Sequence, residues 1–135
     1  MDGEGVIVNN LAVKPGQSVE VKGLIAEECT DFAINLGKDP ENLLLHFNPR
    51  FDLSGVTNII FCNSRENNDW GEEQKEDVFP FQKGSDTTVS FKYEKEKIII
   101  LLPSGSWFSF PVRLPMEVIS YLSLKNLQLK CLKIE

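Results

Sequence analysis

The sequence predicts an all-β fold, either an antiparallel β-sandwich or a closed barrel. About a dozen short segments alternate apolar and polar residues, turn-forming residues separate them, and helical periodicity is almost absent. Val6-Ile7-Val8 opens the series, and Lys14-Pro15-Gly16-Gln17 reads as a turn. Ser18 to Gly23 alternates as a half-buried strand; Phe32 to Gly37 is another, followed by a turn over Lys38 to Asn42. Leu43 to Asn48 and Asn58 to Asn63 come next. Ser64 to Asp69 is polar and reads as a loop, after which Trp70 to Lys75 restarts a strand. Phe79-Pro80-Phe81 is extended, because proline holds its predecessor away from the helical region. Thr87 to Tyr93, Ile98 to Leu102, Ser106 to Phe110, Ile119 to Leu124 and Leu127 to Ile134 complete the set. Pro115-Met116-Glu117-Val118 is the one helix-like stretch, a single turn. Pro49, Pro80 and Pro111 are expected at edges, bulges or strand ends, where no ladder N–H is needed.

The 135 residues fit one domain spanning the chain, long enough to bury a core without disulfides. A formal net charge of -6 argues against non-specific nucleic-acid binding, which requires a basic footprint. Three cysteines, Cys29, Cys62 and Cys131, cannot all pair within a monomer. They read as free thiols packed like small apolar side chains, the usage of a reducing compartment. The start, Met1-Asp2-Gly3-Glu4-Gly5, lacks the apolar segment of a secretory leader. The longest apolar run, Ile98 to Pro103, is too short to span a bilayer. The expectation is cytosolic synthesis without membrane insertion.

Leu43 to Asp52 is the most informative segment. With strand alternation, Leu43, Leu45, Phe47, Pro49 and Phe51 share one face, and His46, Asn48 and Arg50 line the other. That polar row offers directed hydrogen bonds of both senses, since Arg only donates, Asn does both, and His does either by tautomer. It suits a hydroxyl that donates and accepts at once. It does not suit covalent chemistry, because no nucleophile stands beside the histidine. His46 is the only histidine, so a metal centre lacks a second imidazole. Glu72 and Glu73 are adjacent and point oppositely in a strand, which rules them out as a paired acid and base. No cofactor is implied. Further along, Asn63 shares a face with Phe61 and Ile59, and Glu73 with Lys75. Trp70 is out of phase with Glu73 unless Gly71 bends the strand. Beside these polar groups, Trp70 is a candidate platform for the apolar C–H face of a sugar.

The run His46-Phe47-Asn48-Pro49-Arg50-Phe51, then Cys62-Asn63-Ser64, Trp70-Gly71-Glu72-Glu73, Phe79-Pro80-Phe81 and Phe110-Pro111-Val112-Arg113-Leu114 resembles the carbohydrate-recognition domain of the galectin family. The resemblance covers nearly the whole chain and matches the one-domain prototype group. It implies a two-sheet antiparallel β-sandwich of jelly-roll type and a lectin rather than an enzyme. It implies that His46, Asn48 and Arg50 contact the axial 4-hydroxyl of galactose. Trp70 would stack on the galactose ring, Asn63 and Glu73 would hold the 6-hydroxyl, and Arg50 and Glu73 would reach the next sugar. Ser54 stands where many members carry a rim histidine, and Lys75 where many carry an arginine paired with the site glutamate. The resemblance further implies β-galactoside-bearing glycoproteins and glycolipids as partners, a homodimer through the terminal strands, and export without a leader. The competing reading is a galectin-like structural or protein-binding module that has lost sugar binding.

Overall fold

Alternation over these short runs produces twelve strands in the computed structural model, which describes residues 4–135. Of the acidic N-terminus, Met1, Asp2 and Gly3 lie outside the described residues. The strands are β1 (Glu4–Val8), β2 (Ser18–Ile25), β3 (Ala33–Asp39), β4 (Asn42–Leu53), β5 (Val56–Glu66), β6 (Asp69–Trp70), β7 (Gln74–Glu76), β8 (Asp86–Tyr93), β9 (Lys97–Leu101), β10 (Trp107–Pro111), β11 (Tyr121–Lys125) and β12 (Leu127–Ile134). They pair antiparallel in two sheets. One has seven strands in the order β1-β11-β3-β4-β5-β6, with β7 also on β5; the other has five, in the order β10-β9-β8-β2-β12. The result is a sandwich, not a closed barrel.

Two hairpin turns set the register around β5. Ser54 (φ 53°) and Gly55 (φ 79°) join the paired residues Leu53 and Val56, and Asn67 (φ 52°) and Asn68 (φ 71°) join Glu66 and Asp69. Two consecutive positive φ angles match the primed turns whose twist suits a hairpin, and Asn and Gly tolerate that conformation. The expected loop over Ser64 to Asp69 is therefore mostly strand, closed by a two-residue turn. The expected strand from Trp70 to Lys75 is split. Its ends belong to β6 and β7, and residues 71–73 leave the ladder between them. No helical turn forms at Pro115–Val118. There Tyr93 Oη donates to the Met116 carbonyl at 2.7 Å and ties the connection to β8.

The core lies between the sheets and is rich in phenylalanine. Phe47 on β4 meets Phe91 on β8 at 5.4 Å, edge to face. Phe81, in the segment that crosses between sheets, meets Phe32 at 5.2 Å and Phe79 at 5.3 Å. Edge-to-face pairs of this kind contribute about 0.5–1.5 kcal/mol each beyond their buried area. A register shift between Leu43 and His46 interrupts the alternation of β4. Leu44 and Leu45 both enter the core cluster, and Leu43, though buried, does not. The simple alternation of the sequence put Leu43 in the core and Leu44 opposite it; the bulge reverses them. All three thiols are free. Cys29 and Cys62 are buried in the core as expected, whereas Cys131 on β12 is exposed. Burial pushes both the Cys29 and the Cys62 thiol upward, so neither is a ready nucleophile. No helix among the described residues is long and apolar enough to cross a membrane.

Candidate functional site

The outer face of the seven-stranded sheet carries a continuous polar row. Ser123 on β11 pairs with Asn35 on β3, Asn35 with His46 on β4, and His46 with Asn63 on β5. Asn48 lies opposite Phe61, and Phe61 opposite Lys75; Arg50 lies opposite Ile59. Facing residues on neighbouring strands share a side, so register alone brings His46, Asn48, Arg50, Asn63 and Phe61 to one surface.

Pro49 lies inside β4, opposite Ile60, which departs from its expected place at an edge or strand end. The reason is that the regular β3 ladder has ended beside it. The Phe32 N–H still donates to the Pro49 carbonyl at 3.1 Å. Pro49 has no N–H to return to the Phe32 carbonyl. The Asn48 side chain supplies it, with Nδ2 donating to that carbonyl at 2.9 Å and to Asp31 Oδ2 at 2.9 Å. Both amide hydrogens of Asn48 are thereby used. Its Oδ1 accepts from Arg50 Nε at 2.9 Å and keeps one acceptor position. The Arg50 guanidinium rests on the Phe61 ring, 4.0 Å from its centroid, with its terminal nitrogens left to donate. The dipeptide Asn48-Pro49 thus repairs the sheet and aims the arginine together.

His46 is held from the other side. Asn35 Nδ2 donates to Ser123 Oγ at 3.1 Å, which turns its Oδ1 towards His46 Nδ1 at 2.6 Å. Nδ1 therefore carries the proton, and Nε2 is left as an acceptor. Burial, reinforced by the nearby Arg50 charge, lowers the His46 pKa from 6.5 to about 4. The imidazole is neutral at physiological pH. An acceptor nitrogen and cationic donors thus flank the same space.

Trp70 closes that space. Its ring lies 4.9 Å from His46 at an angle of 52°, it is 49% exposed, and the Arg65 guanidinium lies 4.9 Å from its centroid. Directly after it, residues 71–73 form a clasp. Asn63 Nδ2 donates to the Gly71 carbonyl at 3.0 Å, and Asn63 Oδ1 accepts from the Ser64 N–H at 2.7 Å. Arg113 Nη1 donates to the Glu72 carbonyl at 2.7 Å and to Ser64 Oγ at 3.2 Å. A Cβ on Gly71 would stand 2.8 Å from Ser64 Oγ and 3.0 Å from Arg113 Nη1, so any side chain there would displace the Ser64 hydroxyl and press on the Arg113 guanidinium. Asn63 retains one amide hydrogen for a ligand.

His46, Arg50, Phe61, Asn63, Trp70, Gly71 and Glu73 line an open cleft of about 540 Å³. That is the scale of a small-molecule site. Asn48 lies beneath it, 3% exposed. Glu73 is exposed, and among the described residues it forms no ion pair with Lys75 or Arg50. Lys75 stands 5.3 Å from the Phe61 centroid instead. Ser54 is at the tip of the β4–β5 hairpin and does not line the cleft. Asp31, Asn35, Phe61 and Arg113 complete the arrangement, although the sequence did not single them out as site residues. A polar Asn35 in the apolar run Phe32 to Gly37 was the available signal for one of them. Among the described residues no group of three His, Cys, Asp or Glu side chains is placed to hold a metal.

Residues 4–134 match the family model described as galactoside-binding lectin. The chain is 53% identical to galectin-1 of Rhinella arenarum over 131 residues, covering 97% of this chain and 98% of that one. It superimposes on the toad ovary galectin solved in complex with thio-digalactose with a TM-score of 0.94, at 53% identity over 96% of this chain and 97% of that one. A homodimeric agglutinin from chicken liver matches with a TM-score of 0.91, at 40% identity over 96% and 98% of the two chains. The matched span includes every element of the cleft and both sheets. The chain belongs to the galactoside-binding lectins, the galectin family, whose members bind sugars and are not enzymes.

Proposed function

We propose that the cleft binds β-galactosides such as lactose and N-acetyllactosamine. One observation carries the reading: the neutral His46 acceptor, the Arg50 donors and the half-exposed Trp70 ring meet at one cleft. The axial 4-hydroxyl of galactose projects from the ring so that it can donate to His46 Nε2 and accept from Arg50. The remaining acceptor position of Asn48 is available to the same hydroxyl. The apolar face of galactose packs on Trp70. The free amide hydrogen of Asn63 and the carboxylate of Glu73 serve the 6-hydroxyl, and Arg50 and Glu73 reach the second sugar. Lys75, without the planar fork of arginine, leaves Glu73 less firmly held and the rim open to variation. Hydrogen bonds to charged groups contribute about 1.5–3 kcal/mol each, and neutral ones about 0.5–1.5. The targets under this reading are β-galactoside-terminated glycoproteins and glycolipids outside the cell.

A homodimer through β1 and β12 completes the proposal. Both are edge strands, and Ile7 and Ile134 on them are 53% and 37% exposed. Open edges with exposed apolar residues are self-complementary surfaces. The chicken liver agglutinin, of similar structure, is homodimeric. Two sites on one particle crosslink glycans, which a single site cannot do. Retention on lactose-agarose tests the sugar reading. The protein is expected to be retained and eluted by free lactose, and the Trp70→Ala and Arg50→Ala variants to pass through. Passage of the parent protein at every salt concentration would contradict it.

A further inference from the structure

Trp70 sits in β6, a strand of two residues between the Asn67-Asn68 turn and the clasp. Its ring borders two spaces, the sugar cleft and a second opening of about 390 Å³ that Glu66, Asn67 and Arg113 also line. A half-exposed side chain with room on two sides samples more than one rotamer, whereas a stacking platform binds best when its ring is already fixed. Arg65 is placed to fix it. It pairs directly with Trp70 across β5 and β6, so the two side chains leave the sheet on the same face. Its guanidinium stands over the indole, with Cζ 4.9 Å from the ring centroid. His46 is equally near but tilted by 52°, so it does not stack. The guanidinium is itself anchored, because Nη1 donates to the Pro40 carbonyl at 3.2 Å. That carbonyl belongs to the β3–β4 turn, on which the turn before Trp70 also rests. The Asn68 N–H donates to the Glu41 carbonyl at 3.1 Å, and the Asn67 N–H to Asn42 Oδ1 at 3.0 Å. Arg65 Nε is buried without a hydrogen-bond partner. A buried N–H with no acceptor costs stability, and the electron-rich face of the indole offsets part of that cost.

We propose that Arg65 is a positioning residue for sugar binding. It covers one face of Trp70, holds the ring in a single orientation against the β3–β4 turn, and leaves the other face to galactose. Arg65 does not line the sugar cleft, so it acts through Trp70 and not by touching the ligand. The proposal rests on Trp70 being the galactose platform. A planar guanidinium lies on the ring and reaches the Pro40 carbonyl at once. A lysine in its place would keep the charge over the ring but lose the plane and the fork.

The chain has two tryptophans, so Trp107→Phe leaves Trp70 as the single fluorophore of its kind. In that background, Arg65→Met keeps an apolar stem and removes the cation, and Arg65→Lys restores a cation. Two quantities are read on the full chain: the fluorescence anisotropy decay of Trp70 without sugar, and the lactose Kd by calorimetry. Arg65→Met is expected to add a fast component to the decay and to raise the Kd about three- to tenfold. Arg65→Lys is expected to fall between Arg65→Met and the parent in both. Far-ultraviolet circular dichroism and the Tm show that each variant keeps the sandwich. An Arg65 that only ties the two turns together would lower the Tm of Arg65→Met and leave its decay and Kd unchanged, which would overturn the proposal. Weaker binding with an unchanged decay would also overturn it, as would Arg65→Lys performing no better than Arg65→Met. Because the decay is read without sugar, a parent that does not bind lactose would sink the galactoside reading alone, and the decay would still decide whether Arg65 holds the ring.

Discussion

His46 carries the most specific chemical demand in the cleft, because it must stay neutral to accept a hydrogen bond. Its folded pKa of about 4 lies below its ordinary value of 6.5, so between these values the unfolded chain binds the proton that the native protein refuses. The neutral imidazole thus contributes stability that is complete above pH 6.5 and is lost as pH falls through about 4. Ligand binding follows the same group. Lactose affinity is expected to be flat from pH 8 to about 5.5 and to fall as the pH approaches 4, when Nε2 becomes a donor. Isothermal titration across that range checks it; an affinity that falls between pH 7 and 6 would contradict the assigned burial and tautomer. Sequence alternation was enough to place His46, Asn48 and Arg50 in one row. It could not show that Asn35 and Ser123 fix the tautomer, because their partners are 11 and 88 residues away in sequence from the groups they contact.

At the level of elements, the clasp after β6 decides where Trp70 points. Gly71→Ala places a methyl against Ser64 Oγ and Arg113 Nη1, which are bonded to each other, and Arg113 Nη1 also holds the Glu72 carbonyl, so retreat of either loosens the support of the clasp. The expected cost is about 1–3 kcal/mol of stability. Thermal unfolding and lactose titration of this variant should show a lower Tm and weaker binding together; an unchanged pair of values would remove the clasp from the mechanism. Much of the strand pattern was legible in alternation and turn residues. Three features were not. The Asn67-Asn68 turn looked like part of a longer loop, because its neighbours are polar yet paired. The β4 bulge exchanged Leu43 and Leu44, and local pattern carries no register. Pro49 sits inside a strand because a side chain replaces its missing donor, a substitution visible only once Phe32 is brought beside it.

For the whole molecule, the two sheets end in unlike edges. β1 and β12 bring Ile7 and Ile134 to one side, and β10 brings Trp107 to the other. Replacing both Ile7 and Ile134 with Asp is expected to give monomers by light scattering across dilution, with lactose affinity per chain unchanged and red-cell agglutination lost. Agglutination by a monomeric variant would contradict crosslinking through that edge. The most direct measurement compares lactose with cellobiose, which differ in the orientation of one 4-hydroxyl. Parallel calorimetric titrations are expected to show one lactose site per chain and cellobiose at least about a hundredfold weaker, because the equatorial hydroxyl leaves His46 and Arg50 unpaired. Comparable affinity for the two disaccharides would contradict the assignment of that row to galactose recognition.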